Sequence, residues 1–90
     1  MIITDYHFEP PYLNDGYVAD VRLSIDGVID IIASIYRYRD ERSGKVYFDV
    51  DWPEAVLIED EEDRRTIEGE ILERYDRWIR GKEGLYDKTR

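Results

Sequence analysis

Cysteine is absent from this chain, which excludes disulfides and thiolate metal centres as supports for the fold and fits a reducing compartment. Histidine occurs once, at His7, and no serine has a histidine at a motif spacing, so no nucleophilic triad is written here. The glycines form neither a dinucleotide fingerprint nor a phosphate loop. No stretch approaches the roughly 18 apolar residues that would cross a membrane. The opening residues, MIITDYHFEP, lack a basic region followed by a long apolar run. The sequence therefore predicts no membrane partner, no secretory signal and a cytoplasmic location.

Basic residues are also short, 13 against 22 acidic, for a formal net charge of -9. That balance favours solubility and disfavours direct nucleic-acid binding, which needs concentrated Lys and Arg. The acids are unevenly placed: residues 49–63 hold Asp49, Asp51, Glu54, Glu59, Asp60, Glu61, Glu62 and Asp63 with no basic residue among them, whereas 37–48 and 64–90 are net basic. The acidic run offers oxygen ligands but lacks the central glycine of a calcium loop, so no metal is assigned. With 22 acids, a pair for glycosidic hydrolysis can be chosen almost at will, which makes that signal empty. His7 reads as a surface residue between Asp5 and Glu9. No catalytic residue and no cofactor follow from the sequence.

What is present is enough for one core. Ninety residues with 42% hydrophobic side chains make a single domain over 1–90. Ile2, Thr4, Tyr6 and Phe8 alternate with Ile3, Asp5, His7 and Glu9, predicting a strand stopped by Pro10-Pro11. Tyr17, Ala19, Val21, Leu23 and Ile25 alternate with Asp20, Arg22 and Ser24 in the clearest strand. Asp26-Gly27 predicts a two-residue hairpin turn into a third strand over 28–39. There Ile29, Ile31, Ala33 and Ile35 give way to Tyr36 and Tyr38, a change of parity that predicts a bulge near 34–36 or apolar groups on both faces. A loop at 40–45 with Gly44 in the left-handed conformation leads to a fourth strand carrying Val46, Phe48 and Val50 inward.

Residues 53–59 read two ways. Asp51 with Glu54 resembles a capping box for a short helix, and Val56-Leu57-Ile58 equally suits a fifth strand. From 61 to 80, Ile67, Ile71, Leu72, Tyr75, Trp78 and Ile79 recur at three- and four-residue spacing, predicting an amphipathic helix with acids at its start and Glu70–Arg74, Glu73–Arg77 and Asp76–Arg80 pairs. Gly81 suits a left-handed cap, with a flexible tail over 82–90. The expected fold is thus α+β: a four-stranded, or five-stranded, antiparallel meander with the helix across Tyr17, Val21, Leu23, Ile29, Ile31, Val46 and Phe48.

Functionally, clustered carboxylates beside Tyr12, Tyr47 and Trp52 point to a protein partner with a basic surface, since charge speeds encounter and aromatic anchors supply affinity. An inhibitor or antitoxin that mimics nucleic acid against a nucleic-acid-handling protein fits this chemistry. The other reading is a structural subunit of a larger assembly, such as a viral particle. Monomer and homodimer both remain open. Tyr36-Arg37-Tyr38-Arg39 offers the interleaved aromatic and basic pattern that binds single strands, against the net charge.

Overall fold

The computed structural model describes residues 2–13 and 15–88, with side chains described up to residue 81. Strands β1 (Ile3–Glu9), β2 (Tyr17–Ile25), β3 (Ile29–Arg39) and β4 (Val46–Asp51) form one antiparallel sheet in chain order, and helix α1 (Glu61–Lys88) packs against one face. The fold is the expected α+β meander with four strands. The β2–β3 turn takes the expected positive φ at Asp26 (53°) and Gly27 (73°), but it spans three residues rather than two: Ile25 pairs with Ile29, so Val28 belongs to the turn and β3 starts one residue later than the sequence predicts. Gly44 likewise takes φ of 72° in the β3–β4 loop.

Ala19, Val21, Leu23, Ala33, Ile35, Val50, Ile71 and Tyr75 are buried together as the core. Tyr75 lies under the sheet between two strands, 6.3 Å from the Phe8 ring on β1 and 5.8 Å from the Phe48 ring on β4. Phe8 also stacks on Trp78 at 5.8 Å, so aromatic contacts fix the helix across the sheet from edge to edge. Full burial of a side chain such as Leu23 or Ile71 is worth about 1.5–3 kcal/mol. On the solvent side of α1 the three expected ion pairs form, joined by Glu61–Arg65.

Other expectations also need correction. In β1 the register slips between Ile3 and Asp5, so Thr4 is the extra residue and Ile3, not Ile2 or Thr4, joins Tyr6 and Phe8 against the core. The Thr4 hydroxyl donates to the Ser24 carbonyl at 3.2 Å and accepts from the Gly27 N–H at 3.1 Å, tying the bulge to the neighbouring turn. In β2 a second slip between Tyr17 and Ala19 turns Tyr17 away from the helix to stand opposite Tyr36. β3 itself runs without a bulge. Its parity change is resolved by apolar groups on both faces, while the extra residue sits in its partner, at Val18.

The connection after Pro53 is neither helix nor strand; a turn closes with the Val56 N–H donating to the Pro53 carbonyl at 2.9 Å. Asp51 therefore opens no short helix, and α1 is capped by Asp60, its Oδ1 accepting from the N–H groups of Glu62 and Asp63 at 2.9 and 3.1 Å. Finally, Gly81 does not end the helix, which runs on to Lys88 without a positive φ there. Of the tail expected over 82–90, residues 89–90 lie outside the described residues.

Candidate functional site

Strand alternation sends every second side chain to the face opposite α1, and no helix or second sheet among the described residues covers that face. The in-order meander then aligns residues that are far apart in sequence. Glu9, Asp20, Ser34 and Asp51 form one row across all four strands, and Asp5, Ser24 and Asp30 another. Tyr36 stands opposite Asp49, and Tyr38 opposite Tyr47. Within the strands, this face carries the carboxylates of Asp5, Glu9, Asp20, Asp30, Asp49 and Asp51 against one guanidinium, Arg22, with His7 opposite it.

Four tyrosines make a connected band at one end of the face. Tyr17 meets Tyr36 edge-on at 6.2 Å, Tyr36 lies 5.8 Å from Tyr38, and Tyr38 stacks on Tyr47 at 5.6 Å. The carboxylates hold the rings in place: the Tyr17 hydroxyl donates to Asp51 at 2.7 Å and the Tyr36 hydroxyl to Asp49 at 3.3 Å. That bond and the charge of Asp51 raise the Tyr17 phenol above its ordinary value of 10.0. Burial, followed by the charge of Asp49, does the same for Tyr36. The rings are neutral donors anchored on fixed negative charge.

Beside this band, toward β1, the β1–β2 loop folds onto the sheet. Asp20 organises it, accepting from the Tyr12 N–H at 3.0 Å and from the Ser34 hydroxyl at 3.1 Å. Arg22 reaches Glu9 at 3.4 Å. Between loop and sheet lies an open hollow of about 490 Å³ lined by Glu9, Pro10, Tyr12, Leu13, Asp20, Arg22, Ile32 and Ser34. Its rim is amphipathic, with Tyr12 90% exposed.

The acidic run of the sequence is therefore divided. Asp49 and Asp51 belong to the open face, Glu54 and Glu59 are exposed in the connection, and Asp60, Glu61, Glu62 and Asp63 start the helix in the other layer. Among the last group, Asp60 is occupied as a cap and Glu61 pairs with Arg65. Of the expected anchors, Tyr47 lies on the open face and Tyr12 beside the hollow. Trp52 is half-buried against the core and donates its indole N–H to Glu68 at 2.8 Å. Asp5, Glu9, Asp20 and Asp30 were hidden because each is isolated in sequence; their polar parity in the strands, combined with a meander order, was the available signal.

The Tyr36–Arg39 pattern is split by the pleat. Its tyrosines face Asp49 and the open side, whereas Arg37 and Arg39 stand on the helix side opposite Phe48 and Val46. Rings and cations thus do not share a surface, as a stacked single strand requires. Among the described residues, no group of three or more His or acidic side chains has a metal-binding arrangement, and no helix is long and apolar enough to cross a membrane. Comparison with protein-family models, with curated proteins and with solved structures finds no match to this chain.

Proposed function

We propose that this protein acts by binding a basic protein through the open face of its sheet. The observation that supports the reading is the interleaving of carboxylates with tyrosine rings on the one face that α1 leaves uncovered. A guanidinium or ammonium group gains from both: the carboxylate supplies charge and the ring face supplies cation–π attraction, worth about 0.5–2 kcal/mol as water is excluded. The carboxylates stand on strands, and two of them are already bonded to tyrosine hydroxyls, so little side-chain entropy is lost on binding. A cationic protein surface that normally contacts nucleic acid has the matching charge, which makes inhibition of a nucleic-acid-handling protein the specific form of this proposal.

The test is affinity capture from the source lysate with elution by rising salt, run in parallel on wild-type protein and two charge-reversed variants. The outer-face variant is Asp49→Lys with Asp51→Lys; the helix-start variant is Glu61→Lys with Glu62→Lys. A basic protein released at moderate salt, retained by the helix-start variant and lost by the outer-face variant, is the expected result. Equal capture by all three proteins overturns the reading.

A further inference from the structure

The two edges of the sheet are not equivalent. The β1 edge is interrupted by the bulge at Thr4, carries Asp5, and has the Arg74 guanidinium 4.2 Å over its Tyr6 ring. These are the devices that keep an edge from pairing. β4 has no bulge and no internal proline, and it exposes three successive apolar residues, Val46 at 37%, Tyr47 at 41% and Phe48 at 41%. Beside it, Val46 and Phe48 join Leu72, Tyr75 and Ile79 of α1 in lining an open, mainly apolar groove of about 350 Å³.

Which backbone groups point outward from β4 is set by alternation. The Asp40 N–H donates to the Lys45 carbonyl at 2.9 Å, so this end of the ladder is a hydrogen-bonded pair. Lys45, Tyr47, Asp49 and Asp51 therefore turn their backbone groups toward β3, and Val46, Phe48 and Val50 turn theirs outward. Two bonds agree with this. Arg37, opposite Phe48, donates its N–H to Gly16 on the β2 side, and the Val50 N–H points away from β3, where the Asp49 side chain accepts from it at 3.0 Å and has to swing aside when a strand pairs.

From this placement we infer that β4 is a self-pairing edge: a second copy of the chain adds its β4 antiparallel to the first, with Phe48 on the two-fold axis. That register matches outward groups with outward groups, Val46 of one copy against Val50 of the other and Phe48 against Phe48. It also sets Lys45 opposite Asp51 twice, an opposite-charge pair at each end of the junction. A register moved by one residue along the strand directs the backbone groups away from one another, and one moved further gives up ladder bonds or the two charge pairs. The symmetry places both helices on the same side, where the two grooves meet and cover Phe48. The open acidic faces become one continuous eight-stranded surface. A second copy fits because the edge is complementary to itself in hydrogen bonding, in apolar face and in charge.

Sedimentation velocity on the full chain over the micromolar range tests the pairing, with a concentration-dependent dimer expected. Val46→Pro removes an outward N–H without touching the bonds to β3, and should weaken the dimer at least about tenfold while circular dichroism stays unchanged. Lys45→Glu and Asp51→Lys should each weaken it, yet an equal mixture of these two variants should form a heterodimer, because both end pairs are then attractive. This mixture decides the register even if the proline variant fails to fold. A chain that stays monomeric throughout, a dimer indifferent to a folded Val46→Pro variant, or a mixture no tighter than its components overturns the inference.

Discussion

The two faces of the sheet are built from the same four strands and differ only in which alternate residues they receive. The helix-side face is filled by Leu23, Ile35, Val21 and Ile71, all fully buried, and it holds the fold together by volume and contact. The opposite face is held by directed bonds, Asp20 to Tyr12 and Ser34, Asp49 to Tyr36 and Asp51 to Tyr17, and it stays wet. Stability and recognition are thus separated by one residue step along each strand. Substitutions on the first face should act on folding, and substitutions on the second on local order and binding.

The largest expected effect is on the helix side. Leu23→Ala leaves a cavity beneath Ile71 and should cost about 3 kcal/mol. Since 1 kcal/mol shifts the midpoint of a domain this size by roughly 4–8 °C, thermal unfolding should move down by about 12–24 °C. An intermediate effect is expected at Asp20, where loss of two hydrogen bonds in Asp20→Ala should cost about 1–2 kcal/mol at this partly exposed site. Hydrogen exchange should show the Tyr12 amide opening well before the β2 core amides. Loss of protection in both regions together would show that the two faces are not energetically separate.

The smallest effect at neutral pH, and the one that needs alkali to appear, involves the phenols. Tyr6, Tyr36 and Tyr75 are raised mainly by burial and Tyr17 by its bond to Asp51. A phenol whose folded value is raised keeps its proton longer in the folded chain than in the unfolded one. Its contribution is therefore fully present below the ordinary value of 10.0 and is lost as pH rises past it through the folded values. Unfolding midpoints should be insensitive to these groups up to about pH 9 and should fall above about pH 10. Tyr36→Phe should reduce the slope without altering the midpoint at neutral pH by more than a degree or two.

Much of the helix-side face was legible in the sequence because period carries it. Ala19 to Ile25 alternate without interruption, Asp26-Gly27 admits one turn, and Ile67 to Ile79 keep a helical stripe with ion pairs at the right spacing. The bulges at Thr4 and Val18 were not legible, because a bulge is a property of two strands in register and each strand alone reads as regular. Gly81 misled for another reason: glycine costs a helix interior about 1 kcal/mol but ends the helix only if the chain adopts the left-handed conformation, and here it does not. The open face was half legible. Asp49, Asp51 and Tyr47 announced themselves within a short segment, while Asp5, Glu9, Asp20 and Asp30 become neighbours only once the order of strands is known.

That order also dictates how the chain finds its fold. Each strand pairs with its neighbour in sequence, and the Asp26-Gly27 hairpin closes the shortest loop of all, so the sheet can zip from local encounters with little closure entropy. The contacts of β1 with α1, Phe8 with Tyr75 and Trp78 and Tyr6 with Arg74, are non-local, joining the two ends of the chain. We expect docking of the helix to be the late step and its release the first excursion from the native state, uncovering the apolar side of an otherwise intact sheet; amides of α1 exchanging before those of β2 and β3 would show it.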